Sequence, residues 1–432
     1  MFYHSTNSVS EKADFRQATL RGQAPDGGLY FPEVIPQLPK AFFEEAARYS
    51  KEEIALKVIE PYVGDTISKA GLLKIIEETV VQDFPLVPVE EGIYSLELFH
   101  GPTLAFKDVG ARFMSRCLSY FIQGSDKKIT VLVATSGDTG SAVANGFYNV
   151  EGVDVVLLYP SGKVSDVQEL QLTTYGGNIT AIEIDGSFDD CQRLVKQAFA
   201  DEQLRERLLL TSANSINVAR WLPQQFYYFF ACRQWPHKDV APVISVPSGN
   251  FGNICAGMLA ACSGLPVQQF IAVCNENDVV SAYLKDGIYS PKPSVQTISN
   301  AMDVGNPSNF VRIIELYEHD LKKLQSKLSS YTISDEETKT AIRDVYKKTG
   351  YLLDPHGAVG YCGLKRNSIT HPDQQGFFLE TAHPVKFSNV VEPVINEQVK
   401  VPQSISNLYF KEKKVFKMNN DYSLFKGFLS EQ

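Results

Sequence analysis

From about residue 94 to 278 the chain repeats one pattern: a short β-branched apolar run, a glycine-containing turn, then a stretch with helical spacing. KITVLVATSGDTGSAVANGFY (128–148) and VAPVISVPSGNFGNICAGMLAACSG (240–264) each read as strand, glycine turn, helix. VDVVLLYP (153–160), NITAIEID (178–185) and QQFIAVCNEND (268–278) read as further strands. VQELQLTTYG and FDDCQRLVKQAFAD are helices between them. Crossover helices force the strands they join to be parallel and cover both faces of the sheet. The pattern therefore predicts an α/β fold with parallel sheets flanked by helices.

The flanks differ. Residues 1–93 form an N-terminal region, mainly helical with irregular segments. KEEIALKVIEPYV (51–63) and ISKAGLLKIIEETVVQ (67–82) carry apolar residues three and four apart, whereas DGGLYFPEVIPQLP (26–39) is turn-rich and expected to be irregular. Residues 94–400 are expected to form the α/β core, with DEETKTAIRDVYKKTG a capped helix and GFFLETAHPVKF (376–387) a strand ending in a His-Pro turn. The extension 401–432 is weakly patterned and expected as a short helix or an extended arm. A chain of 432 residues has ample core for a buried site.

The net charge of −9 argues against nucleic acid or an anionic membrane as the main partner, though not against a local cationic pocket. No apolar run reaches the ~18 residues a membrane span needs. The N-terminus MFYHSTNSVSEKADF has no apolar signal core, so the expectation is a cytoplasmic protein. Seven scattered cysteines without a CxxC pair fit reduced thiols better than a metal cluster or disulfide framework.

One residue stands out chemically. In LFHGPTLAFKDVGAR (98–112), Lys107 sits in an apolar run. It is either a snorkelling surface residue or a desolvated amine, and a desolvated amine has a lowered pKa and can serve as nucleophile or base. Two glycine turns add anion sites, since free N–H groups converge there at a helix N-terminus. In SGNFGN, the backbone of Gly249 and Gly252 and the side chains of Ser248, Asn250 and Asn253 suit a phosphate dianion. In ATSGDTGSA, Thr135, Ser136 and Thr139 suit a carboxylate. Each turn alone reads equally as a tight βα connection. A third segment, SANSINVARWLPQ (212–224), brings Asn214, Ser215 and Arg220 into a short span. If Asn217 begins a helix, Arg220 turns back toward its start; alone, Arg220 reads as a solvated helix residue. A lysine, a phosphate nest, a carboxylate loop and a second anion site suggest pyridoxal phosphate chemistry on an amino acid that carries its own phosphate.

Taken in order, LFHGPTLAFKDVGARFM, ATSGDTGSA, SANSIN..R, VPSGNFGN, ISNAMDVGNPSN and TAHPVKF resemble the threonine synthases of the longer bacterial and fungal type. The resemblance runs from DGGLYFP to TAHPVKF, and the last thirty residues carry none of it. It implies the fold-type II architecture of pyridoxal-phosphate enzymes, similar to the tryptophan synthase β chain, with two open parallel-rich sheets and the cofactor between two subdomains. Lys107 matches the lysine that holds the cofactor aldehyde. Ser248, Gly249, Asn250, Phe251, Gly252 and Asn253 match the cofactor phosphate cradle. Ser136, Gly137, Asp138, Thr139 and Gly140 match the loop over the substrate carboxylate and cofactor ring. Asn214, Ser215 and Arg220 match the substrate phosphate site, and Thr381 the hydroxyl beside the pyridine nitrogen.

The implied reaction turns O-phospho-L-homoserine and water into L-threonine and phosphate by γ-elimination and β-addition, in a monomer or homodimer. Many relatives of the wider fold carry Asn where this chain has Asp138. An anion there repels a phenolate unless one of the two is protonated. A threonine or serine dehydratase shares the lysine and cradle without needing Asn214, Ser215 and Arg220. A catalytically silent cofactor-binding protein would need the lysine or the cradle broken. His100, His356, His383 and Phe106 have structural readings first, and Tyr227, Tyr228, Phe229 and Phe230 read as the buried face of a helix.

Overall fold

The β-branched runs assemble into two sheets of unequal size in the computed structural model, which describes residues 1–124 and 128–431. A small antiparallel sheet comes first: β1 (Phe2–Ser5), β2 (Ala13–Asp14) and β3 (Tyr30–Pro32), in the order β2-β1-β3. The hairpin β4 (Leu86–Glu90) and β5 (Ile93–Glu97) follows. Next come β6 (Ile129–Ala134), β7 (Val153–Pro160), β8 (Ile179–Asp185) and β9 (Leu209–Ser212), then β10 (Val243–Pro247), β11 (Gln269–Cys274), β12 (Leu328–Thr332), β13 (Gly376–Glu380) and β14 (Val415–Asn419). The larger sheet has the order β12-β11-β10-β13-β5-β4, and the smaller β14-β8-β7-β6-β9. Every pairing in the two is parallel except β4 with β5.

Three expectations need correction. Segment 26–39 contributes β3, because its turn ends at Gly28 and Tyr30 and Phe31 are buried; a three-residue strand is too short to show alternation. The boundary at 93/94 falls inside the β4–β5 hairpin, whose turn is too tight to separate domains. The extension supplies both an edge strand, β14 beside β8, and the helix Tyr422–Ser430, which buries Phe425 and Leu429.

The helices follow their sequence signals. Lys51–Val63 starts at a capping box between Ser50 and Glu53, and Asp335–Thr349 at one between Ser334 and Glu337. Gln225–Gln234 is apolar all round, so it is a buried helix: Phe226, Tyr227, Tyr228, Phe229 and Phe230 are all enclosed. Each buried aromatic there contributes roughly 2–3 kcal/mol of transfer free energy. Among the described residues no helix is long and apolar enough to cross a membrane.

This topology decides where a ligand can go. The segments 98–107, 135–140, 213–220, 248–253 and 381–383 follow the C-terminal ends of β5, β6, β9, β10 and β13. Open parallel sheets bind ligands at that edge, and two such sheets place theirs on a common cavity.

Candidate active site

The cavity has a volume of ≈ 1750 Å³ and is lined by Lys107, Asp138, Asn214, Arg220, Asn250 and Thr381 among others. Small-molecule pockets usually enclose ~300–1,000 Å³, so there is room for more than one small anion.

Lys107 is the first residue of the helix Lys107–Ile122, and the turn before it is tied down at several points. Leu104 takes a left-handed φ of 58°. Asp108 receives the Thr103 N–H at 3.0 Å and the Thr103 hydroxyl at 2.5 Å. Phe106 N–H donates to Thr381 O at 2.9 Å, and the Tyr227 hydroxyl donates to Phe106 O. Gly101 is required here, since a Cβ would stand 2.3 Å from Asp108 Oδ2. The Lys107 side chain retains 18% of its exposure, with Nζ 3.8 Å from Asp138 Oδ2 and 4.6 Å from the Phe106 ring centre. Burial pushes its pKa down; Asp138 opposes this, and Lys386 and Arg220 add to it. The snorkelling alternative is excluded.

The turn after β10 is built as a bare cradle. Phe251 adopts φ 60° and caps the helix Gly252–Cys262. Among the described residues none accepts from the backbone N–H groups of Gly249, Asn250, Phe251, Gly252 and Asn253. The side chains expected to help are committed elsewhere, which corrects that part of the reading. Ser248 Oγ donates to Val246 O, Asn253 Nδ2 to Pro247 O and Asn250 Nδ2 to Ser215 Oγ. They shape the turn and leave its amides free, an arrangement that suits an anion. Gly249 is required because the chain at Met302 crosses above it: a Cβ would lie 2.6 Å from Met302 Cα.

The turn after β6 shows the same division. Thr135 Oγ1 accepts from Gly137 N–H at 3.0 Å and Gly140 N–H at 2.8 Å, so this hydroxyl holds the loop rather than a ligand. Gly137 lies behind the wall, where a Cβ would meet Gln168, while Ser136, Asp138 and Thr139 line the cavity. Burial alone would raise the Asp138 carboxyl; the ammonium groups of Lys386 and Lys107 outweigh it and hold Asp138 well below the usual range.

In the third segment Asn217 does begin a helix: its side chain accepts from Ala219 N–H and caps Val218–Trp221. Arg220 is 4% exposed, and among the described residues neither its Nε nor its Nη1 has a partner. Burial pushes its pKa down to about 10. Asn214 Oδ1 is buried and also has no partner among the described residues. Ser215 Oγ accepts from Asn250 Nδ2 and Asn309 Nδ2, both at 2.9 Å, which ties this segment to the cradle. Two unsatisfied guanidinium nitrogens beside the cavity mark a site prepared for an anion.

Gly110 sets how closely the Lys107 helix approaches Arg220, since a Cβ would stand 2.6 Å from Arg220 O. Backbone cannot yield as a side-chain tip does. Gly110→Ala should therefore cost about 1–3 kcal/mol of stability, read as a lower urea midpoint; an unchanged midpoint would show that the packing is looser than described.

Comparison with known proteins places the chain in a family. The family described as "Pyridoxal-phosphate dependent enzyme" matches residues 79–376, "Threonine synthase N terminus" residues 2–80 and "Threonine synthase, C-terminal" residues 357–429. Threonine synthase from Haemophilus influenzae is 44% identical over 430 residues, covering 99% of each chain. The chain belongs to the threonine synthase family. The crystal structure of the threonine synthase from Escherichia coli superposes with a TM-score of 0.93 at 41% identity, covering 100% of both chains. A pyridoxal-phosphate-bound threonine synthase from Brucella melitensis superposes with 0.93 at 34% identity, covering 100% of this chain and 99% of that one. The match through residue 429 also shows that the tail carries threonine synthase character that its short motifs do not reveal.

Motif reading does not reach several buried residues that hold the cavity's walls in place. Lys386 is wholly buried and donates to Asp138 Oδ1 at 2.7 Å. Gln168 Nε2 donates to the same oxygen at 2.9 Å. Arg312, also wholly buried, donates to Ser215 O, Ile216 O and Tyr30 O and stacks 4.3 Å from the Trp221 ring, joining the N-terminal sheet to the Arg220 segment. For Lys386 the available signal was a lysine two residues after His-Pro, within an apolar stretch.

Proposed function

We propose that this chain converts O-phospho-L-homoserine and water to L-threonine and phosphate, with Lys107 as its catalytic amine and Arg220 as its substrate-phosphate ligand. One observation carries the reading: a desolvated lysine amine shares a cavity with two separate anion sites, the bare amides of 249–253 and the unpartnered Arg220. A lyase acting on an amino acid without phosphate needs only the first of these.

The residues present fit pyridoxal phosphate. The amides of Gly249 to Asn253 would hold its phosphate, Lys107 its aldehyde carbon, and the Thr381 hydroxyl its ring nitrogen. When bound, the cofactor supplies an aldehyde that condenses with amines and a ring that withdraws electrons from the attached carbon. A neutral hydroxyl at Thr381, unlike a carboxylate, would leave that nitrogen largely unprotonated. Ser136 and Thr139 orient the substrate carboxylate. Lys107 Nζ, its pKa lowered by burial, takes the proton from Cα, passes it to the bound substrate and cofactor, and is then free to take one from Cβ. Arg220 and Asn214 bind the phosphate that departs from Cγ. Closing the cavity would keep water out until addition at Cβ.

Phosphate release from phosphohomoserine, measured beside ammonia release from threonine, tests the reading. Phosphate should dominate, and ammonia alone would favour a dehydratase. Gly249→Ala should weaken cofactor binding by about tenfold or more (~1.4 kcal/mol), because the new methyl overlaps the backbone at Met302. Absorbance titration of the cofactor-stripped protein checks this; an unchanged affinity would count against the cradle.

A further inference from the structure

One carboxylate at the centre of the site serves two lysines unequally. Lys386 lies in the short turn Pro384–Phe387 that follows β13 and has no exposed side-chain surface. Its ammonium donates to Asp138 Oδ1 at 2.7 Å and to Thr103 O at 2.9 Å. Gln168 adds a third contact to the pair, at 2.9 Å from the same Asp138 oxygen. Lys107 reaches only the other oxygen, at 3.8 Å, beyond hydrogen-bonding distance.

The inequality matters chemically. An aspartate facing a single buried lysine stabilises the ammonium form, which can neither attack an aldehyde nor take a proton. Here the charge of Asp138 is matched first by a different amine, in direct contact and without water. We propose that Lys386 is a positioning residue: its buried ammonium claims Asp138 and so leaves Lys107 to work as a neutral amine. This inference rests on the reading of Lys107 given above. It also accounts for Asp138 itself, since a paired aspartate repels an anionic cofactor oxygen far less than a lone one.

The charged groups facing Lys107 are Asp138 from the helix after β6, Lys386, Arg220, and Asp354, which caps the helix Pro355–Thr370. Two are cations and two are anions. Replacing Lys386 by a neutral residue tips that balance toward negative charge and raises the pH at which Lys107 loses its proton. Replacing Asp138 alone tips it the other way.

The test uses the full-length enzyme stripped of cofactor. Brief labelling with acetic anhydride, an uncharged reagent, is followed at Lys107 by mass spectrometry across pH. In Lys386→Met the labelling midpoint should rise by about one pH unit or more. Capture of pyridoxal phosphate at neutral pH should slow by about tenfold, while Lys386→Arg returns the midpoint toward the starting value. A Lys386→Met midpoint that overlays the unmodified enzyme overturns the proposal, as does a loss of thermal stability with no movement of the midpoint.

An orphaned Asp138 could prevent Lys386→Met from folding. The comparison is then Asp138→Asn against Asp138→Asn/Lys386→Met, which removes the pair together. The single variant should label with a lower midpoint than the double, and coincident midpoints overturn the proposal. Failure of the underlying reading looks different: borohydride would then fix the cofactor to a lysine other than Lys107 in the unmodified enzyme.

Discussion

Lys107→Ala should leave less than about one-thousandth of the normal turnover, because the same amine holds the cofactor and moves the substrate's protons, and proton transfer alone is worth ~10²–10⁴. The loss should be chemical rather than structural. Lys107 opens a helix, where alanine is at least as favourable as lysine. Its removal leaves no carboxylate unpaired, because Asp138 keeps Lys386 and Gln168. The variant should therefore unfold near the normal temperature and still bind pyridoxal phosphate through the amides of Gly249 to Asn253. Borohydride should no longer fix the cofactor to the protein. Turnover within tenfold of normal, or cofactor still fixed after reduction, would remove Lys107 from its role.

The sequence carries the core well and the periphery poorly, for physical reasons. The strands buried on both faces, β6, β7, β10 and β11, are nearly continuous apolar runs closed by glycine or polar turns, so local composition is enough to find them. β9, β12 and β14 are short or lie at sheet edges. Leu209 and Phe416 are exposed, and nothing local distinguishes such runs from loop. β3 exists because Tyr3 and Tyr30 pack into the core from separate parts of the chain, which is a tertiary fact.

Similar limits apply to the site. Glycine turns after strands are visible because backbone geometry demands glycine, as at Gly249 beneath Met302. What the neighbouring side chains do is not visible. Ser248, Asn250 and Asn253 read as ligand donors, yet each closes a hydrogen bond inside the protein. Composition cannot tell a donor that builds a turn from one that faces the cavity. Lys386 illustrates the opposite case. Its partner Asp138 is distant in sequence, and only the meeting of β13 with the β6 turn shows that a buried lysine has a matching anion.

Arg220 offers the sharpest test, because its effects on stability and on catalysis should have opposite signs. A buried arginine that served only the fold would satisfy its nitrogens within the protein, as Arg312 does through Tyr30 O, Ser215 O and Ile216 O. Removing such a residue strands buried carbonyls and costs several kcal/mol. Among the described residues Arg220 Nε and Nη1 have no partners, so Arg220→Ala removes a desolvated charge without breaking a hydrogen bond at either atom. The unliganded protein should melt at the same temperature or slightly higher. Two charge-assisted hydrogen bonds to a phosphate are worth about 1.5–3 kcal/mol each. The value of kcat/KM for phosphohomoserine should accordingly fall by about 10²–10⁴, product inhibition by inorganic phosphate should weaken, and cofactor absorbance should not change. Arg220→Lys should recover only part of the loss, since an ammonium cannot reproduce the two-pronged contact. A variant that melts several degrees lower and keeps kcat/KM within about threefold would make Arg220 a structural residue and leave the second anion site without its main ligand.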